Sequence, residues 1–387
     1  MRFESPMASL RESVPFLSFI PTSRYARRER SPRDNDFMFG NPHEMPLPGY
    51  VASLARSAVP QDKDWFAYKM NERLPTETIA RALSSHTGLD WSPDDVFLTT
   101  GGFAAIAASV RAIAGPGDEV VFLSPPWFFY ELLIRAAGAT PVRVPLEAPA
   151  FDLPHDAIAR ALTPRTRAVL INSPHNPTGR VYDARALQEL ARLLDARSQR
   201  EDRPIFLLSD EAYRRIVFDG RRAPSPAEHY ARTIVLYSYG KQLLAPGQRI
   251  GYAAVPPAMP EREALREALT LAIWASGYVF PNALLQHALP EIESQCVDIS
   301  AIARRRDRMV PGLEAMGLQV VRPEGTFYVL VRAPDGDEAR LVDRLADRDT
   351  YVLPGSIVEL PGWVRISLTA NDAMVERGLA AFASVVG

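Results

Sequence analysis

Lysine is rare in this 387-residue chain, and one lysine follows a strongly apolar segment. Only Lys63, Lys69 and Lys241 occur among 44 basic residues, and Lys241 ends the run Thr-Ile-Val-Leu-Tyr-Ser-Tyr-Gly-Lys. Arginine keeps its proton at any working pH, whereas a lysine amine among apolar and cationic neighbours can lose it and attack a carbonyl. A lysine taken at random is most often a surface residue. Lys241 is therefore a candidate for Schiff-base chemistry only together with the residues around it.

Two more polar groups stand where apolar segments end. Asn176 lies in His-Asn-Pro-Thr-Gly after the segment 167–171, and Asp210 ends Leu-Leu-Ser-Asp, with Tyr213 three residues later. A carboxylate at the end of a buried strand needs a cationic partner, and an asparagine amide can donate a hydrogen bond to a ligand oxygen. Taken alone, the first motif is most often a turn and Asp210 most often a helix cap.

A small-residue segment, Thr-Thr-Gly101-Gly102-Phe103, ends a strand-like run and opens a helix-like one. Small residues at a helix N-terminus leave backbone N–H groups free to bind an anion, and a hydroxyl and a guanidinium at Ser238 and Arg249 could add to such a cup. The alternative for Gly101-Gly102 is an ordinary tight turn.

The elements that would position these residues alternate between strands and helices. Such an alternation is typical of a mostly parallel sheet that is covered on both faces, with ligands beyond the carboxyl ends of its strands. The predicted strands are 96–100, 119–123, 140–146, 167–171, 204–209, 233–238 and 250–255. The predicted helices are 76–86, 102–114, 128–137, 156–162, 184–199 and 261–276. The prolines of 40–70 indicate a loop-like stretch there.

The chain is predicted to divide into three parts. Residues 1–39 form an irregular, arginine-rich arm that packs with the small domain, 40–280 form the large domain, and 281–387 form a smaller α+β domain. In the last part, 282–316 reads as helical with breaks at Pro290 and Pro311, followed by strands 318–321, 327–332 and 363–369 and helices 337–347 and 372–386.

Taken together, the motifs around Asn176, Asp210, Tyr213, Lys241 and Arg249 resemble the class I/II aminotransferases, which are pyridoxal-phosphate enzymes of fold type I. The resemblance covers about Gly40 to Thr369. It implies an α/β fold with a mostly parallel seven-stranded sheet in a three-layer cofactor domain. It also implies a homodimer that transfers the amino group of an L-amino acid to a 2-oxo acid.

The resemblance also implies roles for individual residues. Lys241 would hold pyridoxal 5'-phosphate as an internal aldimine and then serve as the base, and Asp210 would hold the proton of the ring nitrogen. Asn176 and Tyr213 would bind the phenolic oxygen of the ring, and Trp127 would stack on the ring. The phosphate would be bound by Gly101, Gly102, Phe103, Ser238 and Arg249, and the substrate carboxylate by Gly40 and Arg365.

Two departures from the family pattern bear on the substrate and the dimer. The tyrosine that reaches the partner's phosphate in the family aligns with Phe66, and Tyr68 stands two residues away. The family's second arginine, which selects dicarboxylates, has no match near 274–280, where Trp274, Tyr278 and Phe280 occur. The sequence therefore favours a neutral or aromatic amino donor over an acidic one.

Other reactions of the same cofactor, such as elimination, decarboxylation or oxidation, would use the same lysine and aspartate. A cofactor-binding regulatory protein is a further alternative, although 1–39 is too short for a winged helix. The net charge of -2 favours small-molecule partners over nucleic acid, the six histidines show no metal spacing, and the single cysteine fits a cytoplasmic protein. No apolar run is long enough for a membrane span.

Overall fold

The structure is a computed structural model that describes residue 5 and residues 7–386; residues 1–4 and 6 of the predicted arm lie outside the described residues. The strands are β1 Asn35–Asp36, β2 Val96–Thr99, β3 Glu119–Ser124, β4 Thr140–Pro145, β5 Thr166–Asn172, β6 Phe206–Asp210, β7 Thr233–Ser238, β8 Gly251–Ala254, β9 Val320–Val321, β10 Tyr328–Arg332, β11 Thr350–Tyr351, β12 Leu353–Pro354 and β13 Trp363–Ser367.

The helices follow the same chain order. They are α1 Pro15–Thr22, α2 Arg24–Arg27, α3 Pro48–Ser57, α4 Arg73–Thr87, α5 Gly102–Ile113, α6 Tyr130–Ala136, α7 His155–Ala161, α8 Ala184–Arg200, α9 Tyr239–Gln242, α10 Arg262–Ala275, α11 Ala283–Ile292, α12 Ile299–Glu314, α13 Glu338–Ala346 and α14 Asp372–Val386. Among residues 5 and 7–386, no helix has both the length and the apolar character needed to cross a bilayer.

A seven-stranded sheet in the order β2-β8-β7-β6-β5-β3-β4 is the centre of the fold. Its strands are parallel except β8, which is antiparallel to both β2 and β7. Successive residues of a strand project to opposite faces, and Leu236 accordingly packs in one apolar cluster while Val235 and Tyr237 pack in another. Burial on both faces explains the continuous apolar runs of these strands, and the predicted α/β fold with a mostly parallel sheet is confirmed.

A second, antiparallel sheet has the order β12-β13-β10-β9. Its apolar face packs against α12, α13 and α14 in a cluster that includes Phe327, Val364 and Phe382. The short strand β1 pairs with β11 in parallel, with Asn35 opposite Thr350. The N-terminal segment is thereby joined to the C-terminal third of the chain. The predicted boundaries at 39/40 and 280/281 remain predictions, and α11 packs beneath β7 in a cluster with Tyr237 and Tyr239.

Three details of the sequence prediction were wrong. The arm contains α1, α2 and β1, and α3 interrupts the stretch 40–70. Proline is tolerated in the first turn of a helix, so Pro48 begins α3, which buries Tyr50, Ser53 and Ser57 on one face. Pro290 and Pro311 lie inside α11 and α12, and the break falls instead at residues 293–298, where Asp298 caps α12.

Candidate active site

The polar residues that follow the strands meet at one edge of the large sheet. They surround a cleft with a volume of about 110 Å³. The lining residues are Gly102, Phe103, Ile106, Trp127, Asn172, Asn176, Asp210, Ala212, Tyr213, Ser238, Gly240, Lys241, Pro246 and Arg249. Nine of the predicted site residues are in this set, because parallel strands bring their carboxyl ends to the same edge. Gly101 is next to the cleft, whereas Arg365 contacts Asn176 and Gly40 packs against Tyr328, neither of them among the lining residues.

Lys241 belongs to the single turn α9, directly after β7. Its Nζ lies 5.6 Å from the ring centroid of Tyr213 and 5.9 Å from that of Phe327. Among the residues that the structure describes, no carboxylate lies within ion-pair distance of this amine. Lys241 is thus an amine that points into a cleft with aromatic walls.

Asp210 ends β6 and is buried. Its Oδ2 accepts a hydrogen bond of 2.6 Å from the Tyr130 hydroxyl, and its Oδ1 accepts one of 3.2 Å from the Ala212 N–H. Burial raises the pKa of Asp210, while these hydrogen bonds and the charge of Lys241 oppose the rise. A cation placed against this carboxylate would stabilise its ionised form.

Two asparagines shape the neighbouring part of the cleft. The side chain of Asn172 accepts a hydrogen bond of 2.7 Å from the Asn176 N–H and donates one of 2.8 Å to the Asp210 carbonyl. The Oδ1 of Asn176 accepts a hydrogen bond of 2.9 Å from Arg365. Because the oxygen is engaged by Arg365, the amide nitrogen of Asn176 is the group left for a ligand in the cleft.

The N-terminus of α5 forms a close-packed cradle at the other end of the cleft. Gly101 has φ 88°, and a Cβ placed there would lie 2.7 Å from the Arg249 guanidinium. A Cβ at Gly102 would lie 3.0 Å from the Cβ of Ser238. Backbone N–H groups, a hydroxyl and a guanidinium therefore converge there with no room for further side chains. This is a donor set suited to a phosphate.

Arg365, on β13, is only 2 % exposed. Besides Asn176, its guanidinium donates a hydrogen bond of 3.2 Å to the Met38 carbonyl and lies 3.9 Å from the ring centroid of Tyr328, while its Nε has no partner among the residues that the structure describes. A buried guanidinium with unused donors is costly unless an anion binds it. A Cβ at Gly40 would lie 2.9 Å from the Tyr328 hydroxyl, so a residue larger than glycine would have to displace its neighbours here.

Two buried phenols, Tyr213 and Tyr328, lie in this region, and their pKa values shift in opposite directions. Burial raises the pKa of Tyr213 well above its ordinary value, and the neighbouring Tyr328 raises it further. Burial acts in the same direction on Tyr328, but the charges of Arg365 and Lys241 outweigh it and lower the pKa of that phenol. The two rings lie 6.1 Å apart.

The aromatic side of the cleft is formed by Trp127. Its ring centroid lies 5.1 Å from that of Phe103 and 5.4 Å from that of Tyr130, in edge-on arrangements. These contacts fix the orientation of the indole. Phe66 and Tyr68, in contrast, are 56 % and 87 % exposed, and neither lines the cleft of its own chain.

The sequence prediction missed Tyr130, Asn172 and Tyr328. Asn172 could have been found, because it is the last residue of β5 and pairs in register with Asp210. Tyr130 and Tyr328 carry no local signal, since each is one aromatic residue in an apolar stretch and its partner is distant in the chain.

Comparisons with known proteins identify the family of this chain. The family described as Aminotransferase class I and II matches residues 60–382. The chain is similar to the aspartate/prephenate aminotransferase of Thermus thermophilus, with 33 % identity over 351 residues, which cover 88 % of each chain. It is also similar to two solved structures.

The first is the aspartate aminotransferase of Thermus thermophilus with maleate, with a TM-score of 0.86, 28 % identity and coverage of 100 % of both chains. The second is an amino transferase from Eubacterium rectale, with a TM-score of 0.87, 29 % identity and coverage of 99 % of this chain and 95 % of that chain. This protein belongs to the class I and II aminotransferases, transaminases that depend on pyridoxal phosphate.

Proposed function

We propose that this aminotransferase moves the amino group of a neutral or aromatic L-amino acid to a 2-oxo acid, with Lys241 as the residue that carries the cofactor. The observation that carries the proposal is the Lys241 amine, which shares one cleft with the buried Asp210 and with the cradle at Gly101 and Gly102. The other lysines are unsuited, since Lys63 is exposed and Lys69 pairs with Glu72.

The residues of the cleft fit pyridoxal phosphate. The phosphate would be held by the backbone of Gly101, Gly102 and Phe103 with Ser238 and Arg249. The ring would lie against Trp127, its nitrogen at Asp210 and its phenolic oxygen at Asn176 and Tyr213. When bound, the cofactor supplies an electron-withdrawing ring that lets a proton leave the α-carbon of an amino acid.

Residues of the protein would then stabilise the protonated ring nitrogen and transfer the α-proton. Ionised Asp210 would keep the ring nitrogen protonated, and the Nζ of Lys241 would take the α-proton as a general base. Arg365 would bind the substrate carboxylate with its unused donors, and Gly40 packs closely against Tyr328, the ring that Arg365 also contacts. The α-carbon would thereby be held between an anchoring cation and a mobile base.

The proposed amino donor follows from the number of cationic side chains that line the cleft. Among the residues lining the cleft, Lys241 and Arg249 are the cations, and both have roles in cofactor binding. Once Arg365 holds the α-carboxylate, no lining cation is left for a second carboxylate. Aspartate is the second candidate donor, because the Thermus thermophilus relative is named for aspartate and prephenate.

We further propose that the protein is a homodimer. A set of apolar side chains is exposed in and around the segment that contains Phe66, and three of them, Met70, Trp274 and Phe280, border a groove of about 60 Å³. The set is Phe66, Tyr68, Met70, Leu74, Trp274, Tyr278 and Phe280. A second copy would cover these groups and bring Phe66 or Tyr68 towards the neighbouring phosphate. Light scattering should give twice the chain mass of 42.9 kDa, and a fully active monomer would contradict the proposal.

Two experiments test the function. Borohydride treatment of the loaded protein should attach the cofactor to the peptide that contains Lys241, and a Lys241→Arg variant should remain unlabelled. Lys63→Arg is the matched control and should label like the wild type. Absence of label in the wild-type protein would refute the role of Lys241.

A donor screen should follow the cofactor spectrum in single half-reactions with phenylalanine, leucine, alanine and aspartate. We expect the neutral and aromatic donors to react faster than aspartate, and reaction with acidic donors alone would overturn the proposed specificity. Product analysis separates transamination from the alternatives. A 2-oxo acid with stoichiometric transfer to a second 2-oxo acid supports it, whereas ammonia with pyruvate, carbon dioxide or hydrogen peroxide supports another reaction of the cofactor.

A further inference from the structure

The residue that follows Lys241 is a fully buried glutamine. Gln242 is 0 % exposed and packs on the side of α9 that faces the core, next to Tyr239 and Leu243. A buried primary amide costs free energy unless all its groups are hydrogen-bonded. Its partners therefore indicate what this position is built to hold.

Every polar group of the Gln242 side chain has a partner. Its Oε1 accepts a hydrogen bond from the Tyr237 hydroxyl. Its Nε2 donates to the main-chain carbonyls of Glu293, at 3.2 Å, and Gln295, at 2.7 Å. The main-chain carbonyl of Gln242 accepts a hydrogen bond of 2.8 Å from the Val297 N–H. Gln242 thus fastens the turn of Lys241 to residues 293–297.

The other flank of the turn is tied to the same segment. The Tyr239 hydroxyl donates to one carboxylate oxygen of Glu293, and Arg215 donates to the other. Burial raises the pKa of Tyr239 well above its ordinary value, and the charge of Glu293 raises it further, so this phenol remains a donor. Residues on both sides of Lys241 are therefore bound to one stretch of chain.

That stretch joins two apolar clusters. α11 packs with Tyr237 and Tyr239 beneath β7, whereas Ile302 of α12 packs in the cluster that includes Tyr328 and Val364. Val364 precedes Arg365 on β13. The segment 293–298 is thus where the chain passes from the core under Lys241 to the core under Arg365.

We propose that Gln242 is a positioning residue that fixes Lys241 against the segment 293–298 and thereby sets the amine relative to Arg365. This inference rests on the proposed function, in which Lys241 moves a proton on a substrate held by Arg365. A displaced base slows proton transfer, while a substrate held by its carboxylate still binds. Loss of the Gln242 contacts should therefore lower kcat with little effect on KM.

The test compares Gln242→Leu with Gln286→Leu. Gln286 is also 0 % exposed. Its side chain likewise makes three hydrogen bonds, to Lys69 and Pro281 carbonyls and from the Glu72 N–H, so it anchors residues 69–72 rather than the Lys241 turn. We expect Gln242→Leu to lower kcat by about 10- to 100-fold with KM nearly unchanged. Gln286→Leu should lower thermal stability similarly and leave kcat near the wild-type value.

A second readout requires no activity. In the cofactor-free protein, hydrogen exchange at 239–243 and 293–298 should accelerate in Gln242→Leu, and in Gln286→Leu it should accelerate only around 69–72. Equal kcat values for the two variants, or unchanged exchange at 293–298, would overturn the inference.

If Gln242→Leu does not fold, Tyr239→Phe decides the matter. It severs one contact with Glu293 without opening a large cavity, and we expect kcat to fall about threefold to tenfold with unchanged KM. A wild-type kcat would refute the inference. Borohydride labelling of Lys241 in the wild-type protein separates this outcome from failure of the proposed function, which would abolish the label altogether.

Discussion

The Tyr130 hydroxyl donates a hydrogen bond of 2.6 Å to Oδ2 of Asp210, and both side chains are buried. Burial raises the pKa of Asp210, and the phenol is the strongest of the groups that oppose the rise. Tyr130 therefore favours the ionised form of Asp210, the carboxylate that would face the protonated ring nitrogen of the cofactor.

Replacing Tyr130 with phenylalanine should weaken cofactor binding. Without the phenol the pKa of Asp210 rises further, and a hydrogen bond to a charged group contributes about 1.5–3 kcal/mol, so affinity should fall by about 10- to 100-fold. Absorbance titration of the cofactor-free protein measures this. Tyr182→Phe is the matched control, because this buried hydroxyl has no partner among the described residues. Equal affinities for the two variants would contradict the role of Tyr130.

The Gly101 cradle can be tested with a single methyl group. Gly101→Ala places a Cβ 2.7 Å from the Arg249 guanidinium, and it should weaken binding of the cofactor by at least about tenfold. Gly117→Ala provides the control, since Gly117 has φ 91° and no atom of the described residues lies within 4 Å of the added Cβ. Both variants place a side chain at positive φ, which costs about 1–3 kcal/mol. A loss of affinity in both would mean that backbone strain, rather than contact with Arg249, is responsible.

Arg365→Lys should impair substrate binding more than stability. Lysine keeps the charge but cannot form a fork of two parallel hydrogen bonds to a carboxylate, so KM should rise by about 10- to 100-fold. Arg306→Lys is matched in burial, since Arg306 is 1 % exposed, and its guanidinium pairs with Asp219 outside the cleft. Thermal unfolding should be affected in the control, whereas KM should change only in Arg365→Lys.

We expect protonation of His175 to lower the free energy of unfolding at acidic pH. Its ring is 2 % exposed, and burial lowers its pKa from 6.5 to about 3. The unfolded chain therefore binds this proton first. The contribution of His175 is fully present above about pH 6.5 and is lost as pH falls towards 3, by about 1.4 kcal/mol per pH unit.

Urea unfolding of the wild type and of His175→Gln measures that slope. The difference in unfolding free energy between the two proteins should shrink between about pH 6.5 and pH 5. A difference that is independent of pH would show that the imidazole titrates normally in the folded protein.

Much of the large sheet and of the cleft could be predicted from sequence. Strands such as β5 and β7 are apolar throughout because both faces are covered, and the polar residues that follow them must then gather at one edge. The presence of Lys241 and Asp210 at that edge could be predicted because each directly follows such a strand, and the chemistry proposed for them rests on the resemblance to the family.

Other features depend on partners that are distant in the chain. The bond between Tyr130 and Asp210 joins residues 80 positions apart, and no local pattern announces it. The break at residues 293–298 was missed because prolines were taken as helix ends, although tertiary packing keeps Pro290 and Pro311 within helices. In the proposed homodimer, the surroundings of Phe66 and Tyr68 depend on a second copy of the chain, which the sequence of one chain does not place.

The contact between Arg365 and Met38 should be sensitive to insertions and deletions rather than to substitutions. Because the acceptor is a main-chain carbonyl, replacing the methionine side chain cannot delete it. The position of the Met38 carbonyl depends on the pairing of Asn35–Asp36 with Thr350–Tyr351. An insertion or deletion of one residue between Asp36 and Gly40 should shift that carbonyl and weaken the proposed binding of the substrate carboxylate, although every side chain of the site would still be present.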